Sequence, residues 1–565
     1  MIRALPTALC ALLVGCGSDL RPIYKPCTSD LECGASKICF PEGCGDPGGG
    51  LVVEIQGNSR TGQLAQDFAI SDAGVAAKIN FDLLPPSTLK GEFQRLSTPL
   101  AFYGETVSLK VKGESLLIPG VVRSYQATFV KPERGAFKLP VGAGRYVVTA
   151  ETADLSIPPD MAEVSIGSGV ETSLSFGFPS VEDTIVLSGR LLKRIDTGSS
   201  VPDIPITQAA MDVQAFNPIS KRPLSQRAHA SSGTPESKGD FTLFIAPEAY
   251  ALPSFIVVAS PREPGSLVPS KTFTITQPID PNLRLQLGDF GDPLPQMLGL
   301  LQTTGGVAVV GASVYLEGPV NGGGEFRSDV VTTNAKGEFR VNLLPSSSDG
   351  AYLLTALPPS PSAAGVVQRQ VKAISKVGQP AYLQVVGAPD PDVVTCPDKI
   401  TVIGSLQRPG GTDPAIGATV IARAVEQLKE LGNQPLPMGD TEVVTDENGR
   451  FTLELDPGIY QVDFIPGGDL PRTTRLITVR AETAAGPDGG APSRTVDLKQ
   501  TELRNGRQVT GTITAPNLNG DPGFAVNATV RYFRVSPVGG SRTSLLLGEA
   551  VTDSMGNYSV TLPAK

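Results

Sequence analysis

Thr445 to Tyr460 reads TDENGRFTLELDPGIY, and this stretch decides the fold. A polar turn through Gly449 enters a strand in which Phe451, Leu453 and Leu455 alternate with Arg450, Thr452 and Glu454, the period of a half-buried strand. Pro457 and Gly458 end it. The same stretch recurs as KGDFTLFIAP (Lys238 to Pro247), KGEFRVNLLP (Lys336 to Pro345), MGNYSVTLPA (Met555 to Ala564) and, more loosely, RGAFKLPVGAGRY (Arg134 to Tyr146). Its turn needs a residue at positive φ, which glycine takes without a Cβ clash, so Gly135, Gly239, Gly337, Gly449 and Gly556 are read as structural turn glycines. The oxygen side chains of TDENG also suit a calcium loop. That reading lacks the spaced carboxylates and the distant bidentate Glu, and three other copies place Lys or Arg directly before the glycine.

At 565 residues the chain exceeds a single core and implies several units of about 100 to 150 residues. Its 62 Gly and 50 Pro punctuate apolar strands and form no low-complexity run, which points to turn-rich β structure. The net charge of −9 comes without a basic face or an aromatic-interleaved basic run, so a nucleic-acid partner is not expected. Trp is absent, so any exposed aromatic platform for sugars must come from Tyr or Phe.

Residues 1–15 carry one early cation, Arg3, then an apolar run ending in LVGC, Leu13 to Cys16. This is a secretory signal peptide. The tetrapeptide resembles the lipobox of bacterial lipoproteins, which implies that Cys16 is lipidated and becomes the mature N-terminus. Several acyl chains on one Cys hold a protein to a bilayer firmly, at about 0.8 kcal/mol per buried methylene. Gly17 replaces the Asp that retains such proteins at the inner membrane of enteric bacteria, so the resemblance implies a cell-envelope, outer-membrane location. Cys27, Cys33, Cys39 and Cys44 follow within CTSDLECGASKICFPEGC; in an exported chain they read as two disulfides, with three connectivities open. Zinc is the alternative, although no CxxC pair and no nearby His accompanies them. The segment is similar to short cysteine-rich modules behind the lipid site in lipoproteins of predatory and soil deltaproteobacteria. Residues 16–50 are thus a lipidated, stapled segment closed by the DPGGG linker.

Each repeat opens with a strand passing a glycine, at Gly91, Gly189, Gly299, Gly404 and Gly511. The turn glycines follow these openings in step, so two independent landmarks keep one period of about 105 residues. Six or seven short strands per period suit a small β-sandwich. The expected units are residues 89–182, 183–292, 293–397, 398–503 and 504–565, the last incomplete. DPNLRLQLGDFGDP near Pro281 is read as a link between units. Residues 51–88 (LVVEIQG, QDFAI, AAKINFDLL) resemble the second half of a repeat. Either the chain continues beyond Lys565, or this half-unit completes the fifth and closes the array.

The order G…VxGAxV…TxxxGxFxL…LPxGxY, best kept around Gly337 and Gly449, resembles the carboxypeptidase regulatory-like domain. That is a transthyretin-like β-sandwich, also grouped with carbohydrate-binding-like folds. The resemblance covers nearly everything from Leu89 and implies an all-β tandem array of about five sandwiches; it implies no activity. The collagen-adhesin B-type repeat, with its Lys–Asn isopeptide bonds, is the runner-up, but its Glu-Pro-Tyr signature has no match.

No constellation for catalysis emerges, and neither a metal nor another cofactor is expected. His229 lies in the polar connection QRAHASSG without a nucleophile elbow or a second metal ligand. Cys396, the odd cysteine, reads as a buried or free thiol. ARAVEQLKELGN (Ala422 to Asn433) suggests a strand end followed by a short surface helix. The expectation is a non-enzymatic, lipid-anchored rod with a structural, display or adhesive role. The alternatives are a module whose sandwich-end loops bind polysaccharide, peptide or envelope proteins, and a stalk for a catalytic domain beyond Lys565.

Overall fold

A computed structural model describes residues 38–40, 43–45 and 50–564, apart from 58–64, 72–77, 97–100, 195–203, 206–210, 232–233, 235–236, 264, 266, 281, 289–293, 347–350, 360–361, 375–380, 387–392, 428–438, 481–494, 517–521 and 539–540. The described chain is an all-β tandem array of sandwiches, without α-helix.

The fourth unit shows the plan. Its opening strand, Ile400–Gln407, is flanked antiparallel by the hairpin strand Arg450–Leu455 and parallel by Thr495–Glu502. The facing sheet orders four antiparallel strands: Thr441–Val444, Thr419–Gln427, Gly458–Ile465 and Thr473–Val479. Alternation along each strand sends Val402, Val420, Phe451, Leu453 and Val462 into one core. In the third unit the two sheets fuse into a single nine-stranded sheet, because Ala381–Val385 pairs both Val367–Ile374 and the opening strand Leu294–Thr303. The second and third units share one continuous core, whereas the others have their own.

Two sequence landmarks meet in every unit. The opening glycine stands directly opposite the aromatic residue of the hairpin strand: Gly91 with Phe137, Gly189 with Phe241, Gly299 with Phe339, Gly404 with Phe451 and Gly511 with Tyr558. The ring lies over the bare backbone, and a Cβ at Gly404 would sit 2.6 Å from the Phe451 ring. The glycine thus makes room for the aromatic that fixes register across the strand pair.

The turn glycines take φ of 67°, 78°, 77°, 71° and 71° in chain order. In the fourth unit Asp446 Oδ1 accepts from the Asn448 and Arg450 amides at 2.9 and 2.7 Å, and Gly449 N donates to Asp446 O at 2.9 Å. Asn334 and Asp553 do the same in their units. The carboxylate proposed for calcium is therefore engaged by its own backbone. Just before it, the buried Thr445 hydroxyl donates to Ala415 O at 2.7 Å and accepts from Ala418 N at 2.9 Å, tying the hairpin turn to the facing sheet. Thr333 and Thr552 repeat this tie.

The fifth sandwich is assembled from both ends of the described chain. Gly50–Gln56 pairs antiparallel with Thr529–Val538, Leu51 opposite Arg534 and Gln56 opposite Thr529. Gln66–Ser71 extends that sheet, and Phe81–Asp82 runs parallel to the opening strand Gly506–Pro516. These positions match Gly458–Ile465, Thr473–Val479 and Thr495–Glu502 of the fourth unit. The match reaches atomic detail: a Cβ at Gly511 would collide with the Ile79 carbonyl oxygen, as one at Gly91 would with that of Leu174. Leu51, Val53, Ile55, Phe81 and Leu83 fill a core with Ile513, Val530, Tyr532 and Tyr558.

Two expectations are corrected. An open rod gives way to a closed array, since the half-repeat in residues 51–88 occupies the sheet edges that the fifth unit would otherwise expose. The segment read as a link near Pro281 holds the strand Asn282–Gln286, parallel to Ile185–Arg194 and hence part of the second sandwich. Ala422 to Gln427 is the expected strand end, paired with Gly458–Val462. The rest of that stretch, 428–433, lies outside the described residues.

Candidate functional site

The sequence-predicted sites are dispersed. Cys16, Cys27 and Cys33 lie outside the described residues. Cys39 and Cys44 fall in the hairpin of Ile38–Phe40 with Gly43–Gly45, whose register sets them opposite one another. His229 lies in a two-residue strand beside Met211–Phe216, and its Nδ1 is 2.7 Å from Asp212 Oδ1. Arg262 Nε reaches the same oxygen at 2.9 Å and Arg227 approaches Asp212 at 3.5 Å. Burial pushes the Asp212 carboxyl up, but the bonds from Arg262 and His229 outweigh it and hold it below the usual range. His229 is thus one member of a surface ion cluster centred on a carboxylate, with no nucleophile in it.

Cys396 is fully buried in Val393–Cys396, at the boundary of the third and fourth units. Burial, with the nearby charge of Asp456, pushes its thiol up to about 12, far from thiolate chemistry at neutral pH. Asp456 Oδ1 accepts the Val366 amide of the third unit at 2.8 Å. Burial raises this carboxyl too, against the opposing Val366 bond and the charge of Lys399.

What the structure does bring together are junctions between neighbouring sandwiches, and the most buried is the one that closes the array. Arg123 of the first unit donates through Nη2 to Glu54 Oε1 at 2.9 Å and to Asp67 Oδ1 at 2.6 Å, and through Nη1 to the Ala143 carbonyl. The three side chains are 5, 3 and 1% exposed. Ser115 Oγ donates to Asp67 Oδ2 at 2.5 Å and accepts the Leu117 and Ile118 amides. Desolvation works against the Arg123 charge, but the bonds and charges of Asp67 and Glu54 overcome it and lift its pKa further. Beside the ions, Val52, Ile118, Phe533 and Val535 form a small apolar cluster of their own.

The other junctions are built with less charge. Arg222 pairs with Asp160 at 2.8 Å, and Gln226 Nε2 donates to Ile157 O at 2.8 Å, across the first and second units. Ser270 and Glu325 exchange backbone bonds of 2.7 and 2.9 Å across the second and third. There Gly322, Gly323 and Gly324, at φ of 79°, 103° and 90°, wrap Lys271, whose Nζ donates to Gly322 O at 3.1 Å. Gly506 lies against the Asp469 carbonyl between the fourth and fifth.

Sequence reasoning missed Arg123, although a signal was present. In VRSYQATF it shares its face with Tyr125, Ala127 and Phe129, which pack on the core, while Val122 on the other face is exposed. An arginine in phase with an apolar face has to find buried partners.

No known family's sequence profile matches the chain, and no curated protein does. Among solved structures it resembles a streptococcal ancillary pilin at 12% identity and a TM-score of 0.20, over 56% of this chain and 99% of that one. It also resembles the Bacillus anthracis TIE protein, at 11% and 0.16 over 72% and 70%. For the full-length major pilin SpaD from Corynebacterium diphtheriae the figures are 8% and 0.15 over 76% and 100%.

Proposed function

We propose that the chain is a cell-envelope lipoprotein whose non-enzymatic sandwich array is a fixed body for structural, display or adhesive use at the bacterial surface. The observation that supports this reading best is the closure: the fifth sandwich is built from residues 50–82 and 506–563 and locked to the first by Arg123. Contacts at each junction, buried at the Arg123 cluster and in the core shared by the second and third units, restrict the hinge motions that independent tandem domains ordinarily have. The N-terminal segment then leads from this closed body to a diacylglyceryl group on Cys16 in the outer membrane. Expressed in a bacterial host, the wild-type chain is expected in the membrane fraction with a lipid mass on its N-terminal peptide. Cys16→Ser is expected to leave it unlipidated and soluble, and an unlipidated wild-type N-terminus would reject the anchor.

A second reading, binding of polysaccharide or peptide, is favoured by a cavity of about 480 Å³ at the end of the first sandwich. Arg95, Glu105, Asp154 and Ser180 offer hydrogen-bonding groups there over Tyr103. Retention on immobilised envelope polysaccharide, lost in Arg95→Ala, supports this second reading; no retention removes it.

A further inference from the structure

The half-sandwich formed by residues 506–563 is shaped for residues 50–82 in particular. Gly511 has no side chain where the Ile79 carbonyl passes, and that carbonyl accepts the Tyr558 hydroxyl at 2.8 Å. Thr512 N donates to Asn80 Oδ1 at 3.0 Å, and the Ile79 and Leu83 amides donate to Thr510 O and Thr514 O, each at 2.8 Å. Six backbone pairs along Leu51–Gln56 and the buried Leu51, Val53 and Ile55 complete the fit.

None of these contacts depends on both pieces belonging to one chain. Asn80 and Thr512 stand 432 positions apart in sequence, and the short link Leu83–Pro86 and the Arg123 cluster bind residues 50–82 to the first sandwich. The first sandwich and this segment therefore form one side of a joint whose other side is the half-sandwich behind the fourth unit. During synthesis the segment is complete long before its acceptor exists. Exchange of an identical element between copies keeps every contact of the joint itself; beyond association entropy it costs the bending of one other junction, which lets the donated segment leave its own acceptor.

We propose that this joint is also a copy-to-copy interface: residues 50–82 of one chain complete the fifth sandwich of a second copy, giving exchanged dimers and head-to-tail assemblies. The partner is thus a second copy of this chain, recognised by strand addition.

The test uses two full-length, differently tagged chains. One carries Gln56→Cys and the other Thr529→Cys, at positions that face each other across the joint. After co-expression, treatment with a short bismaleimide should give a species of twice the chain mass bearing both tags. Its yield should rise with concentration and exceed that of chains with neither substitution. Gly511→Val in the Thr529→Cys copy places a side chain against Ile79 and should abolish it. Because that variant could also unfold its own unit, the same two tags on otherwise wild-type chains give a second readout: joint capture at high concentration. Single-chain mass at all concentrations without joint capture overturns the proposal. So does a cross-linked dimer that survives Gly511→Val, since the copies would then meet at another surface.

Discussion

Thr445 shows how much rests on one hydroxyl. Its oxygen serves both an amide and a carbonyl in a site almost closed to water, so removal strands two backbone groups at once. Thr445→Val, which keeps the volume, should destabilise the fourth sandwich by about 1–3 kcal/mol, read as a lower denaturant midpoint at unchanged slope. Asp456 carries a pH effect of defined sign. Its folded-state pKa is raised by burial, so its contribution is fully present below the unfolded carboxyl value of about 4 and is lost as pH rises through the folded value. Asp456→Asn should flatten the pH dependence of unfolding in that window, and an unchanged slope of stability against pH would contradict the assignment. At this scale the turn glycines were legible because a positive-φ need leaves one residue type repeating at one spacing. The threonine was visible in the repeat pattern, but its acceptor Ala415 and donor Ala418 lie 30 and 27 positions earlier, where no local pattern points.

Among elements, hairpin strands could be read by period two, since one face of each meets the core. Gly50–Gln56 could be read only in part. Leu51, Val53 and Ile55 mark its core face, but Val52 and Glu54 on the opposite face are also buried, beneath the first sandwich. Its outer face is defined by a partner strand and a partner loop from elsewhere in the chain, which explains why the Arg123 cluster escaped a reading of periodicity. Arg123→Met should leave the buried Asp67 carboxylate without a cation and Glu54 with only Arg531, 3.5 Å away, costing about 3–5 kcal/mol. Adding Glu54→Gln and Asp67→Asn should recover most of that loss. Thermal unfolding of the single and triple variants checks this, and a triple variant no more stable than Arg123→Met would show that the charges are not what holds the junction.

For the whole molecule, the period of about 105 residues made the tandem array legible. The resemblance of residues 51–88 to half a repeat raised closure as an option. The choice between closure and an open end was not legible, because strand pairing between opposite ends of a chain leaves no periodic trace. Gly511 reads in the sequence like the four other opening glycines, and only the fold reveals that the carbonyl it makes room for is that of Ile79. The most direct measurement is amide hydrogen exchange on the full chain and on Ile55→Asp, which puts a charge into the shared core. Closure predicts that residues 530–534, far along the chain, lose protection together with 51–55, while 460–464 in the fourth sandwich keep theirs. Unchanged protection at 530–534 would contradict a fifth sandwich assembled from both ends.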